Sequence, residues 1–477
     1  MNYVIDGREP KSIFHFFEDI CAIPHGSGNE KGIADYIQAF AQKRGLYCYR
    51  DTLHNVFIKK SATKGRENDP PLIFQAHTDM VCEKNDGTEH DFLKDPLKLY
   101  VDGKYLRAKG TTLGADDGIG VAVMLSLLDG EVESHPEIEC LFTVSEETGM
   151  DGISGFDFSQ IRARRMINLD SAEIDFAVAG CAGGVRSNVT FTGKREKYTG
   201  STVNIKIKGL AGGHSGENII DGRANAIKLM GRALLALGDV DFRLVSISGG
   251  GKSNAIPREC NAVLKTPEPD AVIDIIKGIE KDISFELGEH DRDFEILTDV
   301  IDTDSDAFCR TTTQKVISFI GTVANGVLEM SKKISGFVEY SRNLGVIRTE
   351  GDDVVITFFA RSGIDAQLYA SNREIEALAG MLEAKVEYME MYGGWAYNDN
   401  SAIRDEYAKA YKKVTGKDIT VIQLHAGLEC GFISSNIPDM DIISVGPNVY
   451  SLHSPDECMD LDSVETLFAV LKEFLLK

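Results

Sequence analysis

No stretch of about 18 uncharged apolar residues occurs anywhere in this chain, so no membrane-spanning helix is expected. The opening residues, MNYVIDGREPKSIFHFFEDICAIPHGSGNE, lack a basic stretch followed by an unbroken apolar run, and no secretory signal is expected. There is no Cys-x-x-Cys pair. The nine cysteines are scattered and odd in number, the usage of reduced, buried thiols in a cytoplasmic chain rather than of a disulfide frame or a zinc ribbon. Basic residues are scarce: 51 Lys and Arg stand against 74 Asp and Glu, a formal net charge of −23. A phosphate backbone requires basic patches, so a nucleic-acid partner is disfavoured, and the balance suits a soluble cytoplasmic protein. No short repeat is present.

What is present is length and apolar content. With 477 residues, 43% of them hydrophobic, the chain exceeds one simple core, and two domains are expected. The first ~185 residues alternate helix and strand signals, as in an α/β layer. NEKGIADYIQAFAQKRG reads as an amphipathic helix closed by Gly45, PLIFQAHTDMV as an apolar strand with a polar tip, and DGIGVAVMLSLLDG as a buried helix stopped by Gly130. EIECLFTVSEE and RRMINLDS read as further strands. AGCAGGVR interrupts this pattern, and beyond it STVNIKIKGL, DFRLVSISGG and ECNAVLKT alternate as half-buried strands between helices such as GRANAIKLMGRALLAL. The strand-plus-helix texture occurs twice, an α+β arrangement, and the α/β texture returns near Trp395. The expected organisation is a first domain over 1–186 and 393–477, with a second, 187–392, inserted into it.

LFTVSEETGMDG, Leu141 to Gly152, ends an apolar strand with two adjacent glutamates. Like charges side by side repel, and each resists desolvation. Either the strand end is solvated before a glycine turn, or a cation sits there and one glutamate binds it. Comparable groups stand where other apolar elements begin or end: AHTDM (His77, Asp79), GADDG (Asp116, Asp117), LDS (Asp170) and YSLHSPDE (His453). Singly each has an ordinary reading as a packed histidine, a capping aspartate or a loop residue. Jointly they fall on element ends of one α/β layer, where open sheets place their sites. Histidine with carboxylates is the ligand set of zinc, cobalt or manganese. GADDGIG is not a phosphate loop, since two aspartates would repel a phosphate.

Taken in order, AHTDM, GADDGIG, SEETG, LDS and LHSPDE resemble the M20 metallopeptidases, most closely the aminoacyl-histidine (cytosol nonspecific, Xaa-His) dipeptidase type. The resemblance spans the chain, with CAIPHGSGNE at the start, GLAGGHSG and SNAIP in the inserted domain, and HAGLECG near the end. It implies an α/β fold: a catalytic zinc-peptidase α/β/α domain with an inserted α+β lid, and two Zn2+ per subunit, for which Co2+ or Mn2+ could stand in. By motif, His77 and His453 would each bind one metal and Asp116 would bridge them. Glu147 would complete one set and Asp170 the other. Glu146 would be the general base, and Asp79 would orient His77. The charges agree: three carboxylates and one hydroxide balance two divalent ions. Because neighbours on a strand point to opposite faces, both glutamates can serve one site only from the strand end or the turn beyond it.

In the lid, His214 would stabilise the oxyanion, from a neighbouring subunit if the chain forms a homodimer through that domain. Asn254 and Arg361 would hold the substrate's terminal carboxylate, and Glu429 would face its amine. The bland reading of Arg361 is a surface salt bridge, and that of His214 a turn histidine. The implied activity is hydrolysis of unblocked dipeptides, small peptide substrates that include Xaa-His. The alternative is deacylation of N-acyl amino acids on the same scaffold, from which an acidic group for a free amine, Glu429, would distinguish it. A non-catalytic member would lack a ligand or the base, and none of His77, Asp116, Glu146, Glu147, Asp170 and His453 is missing. The one departure is Asp117, where close relatives often carry asparagine.

Overall fold

The computed structural model describes residues 3–303 and 305–476. The chain divides into two compact units. One comprises Met1–Gly180, Trp395–Gln423 and Leu428–Lys477; the other comprises Cys181–Gly394 and Leu424–Gly427. The passages lie at 180/181 and 394/395, where 186 and 393 were expected. The excursion of Leu424–Gly427 into the second unit has no counterpart in the sequence reading.

The first unit is built on an eight-stranded sheet in the order Tyr47–Arg50, Val56–Lys60, Ile138–Thr143, Leu72–His77, Arg165–Asn168, Asp441–Ser444, Phe176–Cys181, Thr420–Leu424. Its central strands are parallel, with His77 opposite Thr143, Gln75 opposite Asn168, and Ser444 opposite Asn168. Their carboxyl ends therefore coincide. Leu72–His77 and Ile138–Thr143 are buried throughout, as expected of parallel strands covered on both faces. The side-chain period of two sorts them. Leu72, Phe74, Ala76, Ile138, Cys140 and Phe142 enter the main core with the helices Lys11–Cys21 and Ala115–Asp129. Gln75, His77 and Thr143 fall on the opposite face, so the polar residues of two apolar strands share one side.

The helix Ala115–Asp129 is buried on nearly every side, hence its unbroken apolar run. Its first residues are not helical: Asp116 has φ −83° and ψ 106°, and Asp117 φ −111° and ψ 32°. A four-stranded sheet pairs Val449–Tyr450, Cys458–Asp460, Tyr105–Ala108 and Leu99–Asp102.

The second unit is a nine-stranded sheet with antiparallel neighbours, including Ser201–Lys208, Cys260–Thr266, Arg243–Gly249, Val338–Glu350, Asp353–Ser362 and Gly183–Thr192. The apolar stripes of the helices Ala226–Leu235, Pro269–Glu286, Arg310–Thr322 and Asp365–Met381 share one core with alternate strand residues. The two strand-plus-helix passes of the sequence are thus halves of one sheet. AGCAGGVR, which broke the pattern in sequence, lies in the consecutive strands Phe176–Cys181 and Gly183–Thr192.

Candidate metal centre

Three carboxyl ends of the parallel strands deliver the site. His77 is the last residue of its strand, Asp170 follows Arg165–Asn168, and Ile138–Thr143 runs into Ser145. Ser145 turns left-handed, φ 58°, and starts the single helical turn Glu146–Gly149. That turn resolves the paired glutamates, because on a helix consecutive side chains need not oppose each other. Asp79 receives the free N–H groups of the turn: Oδ1 accepts from Glu146 N at 3.0 Å, and Oδ2 from Glu147 N at 3.3 Å and Ser27 Oγ at 2.8 Å.

His77 Nδ1 donates to the main-chain oxygen of Asp79 at 3.0 Å, with the Asp79 carboxylate at 3.5 Å. The imidazole therefore presents Nε2 to Asp116 Oδ1, 3.0 Å away, and Asp170 Oδ1, 3.7 Å away. The other oxygen of Asp116 lies 3.2 Å from His453 Nε2, and Glu147 Oε1 is 3.0 Å from that same nitrogen. Asp116 thus offers one oxygen to each histidine. Three groups could each hold an ion: His77–Asp116–Asp170, Asp116–Glu147–His453, and His77–Glu146–Glu147. Ligand atoms 2.0–2.2 Å from a tetrahedral ion are about 3.4 Å apart, so these spacings fit metal coordination. Glu147 Oε1 is buried and has no hydrogen-bond partner despite its approach to His453. Asp116 bonds both imidazoles, and the unsatisfied Glu147 oxygen beside them is a donor atom that a shared cation would fit.

The electrostatics carry the same signature. Burial opposes charge on His77, but contacts with Asp116 and Asp170 outweigh it and hold its pKa well above the ordinary value. Contacts with Asp116 and Glu147 raise His453 to about 10. Burial would raise Asp116, yet the two imidazoles pull it below the usual carboxylate range. Burial lifts Asp170 to about 6 and Glu146 well above its ordinary value. These contacts make both imidazoles hold their protons more tightly than a free imidazole does. Divalent-ion binding is therefore expected to release protons, because a ligand histidine must be neutral. Affinity should rise with pH below about 10, roughly tenfold per unit for each proton displaced. Calorimetry in buffers of different ionisation enthalpy counts those protons, and a buffer-independent heat would refute the linkage.

Asp117 is buried, with Oδ1 accepting from Gly120 N at 3.2 Å and Oδ2 unpartnered. Burial, then the charge of Asp170, push its pKa well up. Behind the ligands runs a buried polar chain. Glu429 Oε2 accepts from Thr143 Oγ1 at 2.6 Å and Gln75 Nε2 at 2.5 Å, while Gln75 Oε1 accepts from Asn168 Nδ2 at 2.6 Å. Glu429 is fully buried, Oε1 has no partner, and burial lifts its pKa to about 8.

The second unit gathers a separate cluster. His214 pairs with Ala255 in a short ribbon, so it lies beside Asn254, whose carbonyl accepts from Ser215 N at 2.9 Å. Asn343 Nδ2 donates to the carbonyls of Ser253 and Ala255, each at 2.8 Å, and clamps the backbone on both sides of Asn254. Arg361 is 4% exposed, with His214 Nε2 at 3.3 Å and Ser215 Oγ and the Tyr392 hydroxyl at 3.5 Å. It forms no ion pair among the described residues, so the surface salt-bridge reading of Arg361 does not hold. His425 bonds Ser341 Oγ at 2.6 Å, and burial lowers its pKa to about 3. Gln75, Asn168, Ser215, Tyr392 and His425 were not singled out in sequence. For Gln75 and Asn168 the available signal was an amide inside an apolar strand.

A parallel sheet with His and carboxylate ligands gathered at its strand ends is the arrangement of a metal-dependent hydrolase. The family model described as "Peptidase family M20/M25/M40" matches residues 73–477, and the chain belongs to this family of peptide-bond hydrolases. It is 36% identical over 471 residues to the cytosol non-specific dipeptidase of Escherichia coli (strain K12), covering 98% of this chain and 97% of that one. The crystal structure of aminoacylhistidine dipeptidase from Vibrio alginolyticus superposes with a TM-score of 0.91 at 37% identity, over 98% of this chain and 97% of that one. Aminopeptidase PepT from Bacillus cereus ATCC 10987 shares the fold alone, with a TM-score of 0.56 at 16% identity over 97% and 98% of the two chains. Among the described residues no helix is long and apolar enough to cross a membrane.

Proposed function

We propose that this peptidase is a two-metal dipeptidase of the cytoplasm that hydrolyses unblocked dipeptides, Xaa-His among them. The observation that carries the reading is Asp116, which offers one oxygen to each of two histidine-centred groups with Glu146 beside them. The names and extent of the Escherichia coli and Vibrio alginolyticus relatives support the dipeptide range. His77, Asp116 and Asp170 would hold one ion, and Asp116, Glu147 and His453 the other; zinc suits this donor set, as do cobalt and manganese. Ions held there would supply Lewis acidity, lowering the pKa of water and polarising a carbonyl.

The chain's own residues do the rest. Glu146 accepts a proton from the attacking water and returns it to the leaving amine. Asp79 steadies this base through the backbone N–H groups of its helical turn, and fixes the tautomer of His77 through its carbonyl. Arg361, buried without a carboxylate partner among the described residues, takes the substrate's terminal carboxylate, with Asn254 alongside. His214 donates to the oxyanion. Glu429, whose Oε1 lacks a partner among the described residues, is the acidic group that would answer the free amine. The working form is a homodimer through the second unit.

The test compares Ala-His with N-acetyl-Ala-His, using metal-loaded and chelated protein. Rapid cleavage of the free peptide alone, lost on chelation, is the expected result. Preference for the acetylated peptide would move the assignment to an N-acyl amino acid deacylase.

A further inference from the structure

His453 lies in the loop that joins Val449–Tyr450 to Cys458–Asp460, at a left-handed φ of 58° and with 51% of its side chain exposed. His77 and Asp170 belong to the central parallel strands or follow them directly, and the ladder holds them. His453 has no such frame. Four residues on, in the same LHSPDE motif, Glu457 is 3% exposed. Its carboxylate accepts three successive backbone N–H groups: Leu113 at 2.7 Å and Gly114 at 3.1 Å on Oε2, and Ala115 at 2.9 Å on Oε1. These residues lead directly into Asp116. Their N–H groups stand at the start of a buried helix, where no carbonyl of the helix can serve them. A buried carboxylate and three buried donors that satisfy one another hold their two backbones in register, because parting them leaves every group unpaired. The pairing of Cys458 with Arg107 fixes the base of the same loop.

We infer that Glu457 is a positioning residue that locks the Asp116 turn to the His453 loop and so assembles the Asp116–Glu147–His453 metal position. It touches neither ion nor substrate and acts through Asp116 and His453. The His77–Asp116–Asp170 position, framed by the sheet, depends on it less. The inference rests on the two-metal reading.

The experiment titrates Co2+ into metal-free full-length protein and follows both equivalents by calorimetry and by the visible absorption of bound cobalt. Wild type is expected to take two ions. In Glu457→Gln the side-chain amide turns a donor toward one of the three N–H groups. The second equivalent should weaken about 10- to 100-fold, the usual effect of losing a residue that supports a ligand, with the first equivalent nearly unchanged. On a His453→Ala background, Glu457→Gln should add nothing further. Glu457→Asp keeps the charge but falls one methylene short, and should weaken the same equivalent; it carries the test if the glutamine variant does not fold. Wild type binding fewer than two ions would end the two-metal reading and this inference with it. Two ions in wild type and unchanged affinities in folded variants would overturn the clamp alone. Failure of both variants to fold would also overturn it, by making Glu457 a support of the whole unit rather than of one metal position.

Discussion

Glu146→Gln is expected to lower turnover of Ala-His by about 10²- to 10⁴-fold, the usual worth of a positioned general base, while metal content stays at the wild-type level. The side chains are isosteric, and the turn that carries residue 146 is held by its main chain, through Asp79, rather than by the carboxylate. The amide cannot accept and return a proton, so the loss should fall on kcat with KM little changed. Glu146 also belongs to one of the three candidate ligand groups, together with His77 and Glu147. Metal analysis therefore decides between roles: if the variant loses an ion in step with its activity, Glu146 is a ligand and the base lies elsewhere.

Asp116→Ala should cost more, because a single carboxylate serves both histidines. Its two oxygens lie 3.0 Å from His77 Nε2 and 3.2 Å from His453 Nε2. Removing it would take a ligand from each ion and leave each imidazole with one facing carboxylate instead of two. Loss of a residue behind a ligand weakens metal binding about 10- to 100-fold. Loss of a shared ligand should exceed the upper end of that range at both positions and abolish measurable hydrolysis. Equilibrium dialysis with Zn2+ followed by metal analysis gives the result, and retention of two tightly bound ions would sink the bridging role. Asp116→Asn is a finer probe, since it keeps one acceptor oxygen and is expected to retain at most one ion.

His77, the paired glutamates and Asp170 were legible as candidates because each sits at the end of a strongly patterned element, whereas His453 lies in a loop. An apolar strand that stops at His77, at the paired glutamates or at Asp170 announces a chemical change at a place where backbone geometry already gathers side chains. The strands and helices themselves were legible for a similar reason: burial on one face imposes a period, and burial on both an apolar run, that the order of residues reveals. Lid residues such as His214, Asn254 and Arg361 were reached through resemblance, and the structure brings them into one cluster. A short ribbon sets His214 beside Asn254, and Arg361 is buried with no ion-pair partner among the described residues.

Other features had no local signal. Gln75, Thr143 and Glu429 are far apart in the chain, and only strand register and the return of the chain near its end place them in one buried network. The full burial of Glu429 and the left-handed turn before Glu146 are likewise matters of packing. So is the four-residue excursion of Leu424–Gly427 into the second unit. By itself the sequence determined the element types and, through its motifs, the family, and it nominated candidate ligand residues, since these follow from short-range periodicity and from side-chain chemistry at element ends. The tertiary structure alone decided which oxygen of Asp116 meets which histidine, that the Asp79 carboxylate bonds the backbone of the glutamates, and that Glu457 holds the turn ahead of Asp116. Those are hydrogen bonds between residues tens to hundreds of positions apart, and no periodicity of the chain encodes them.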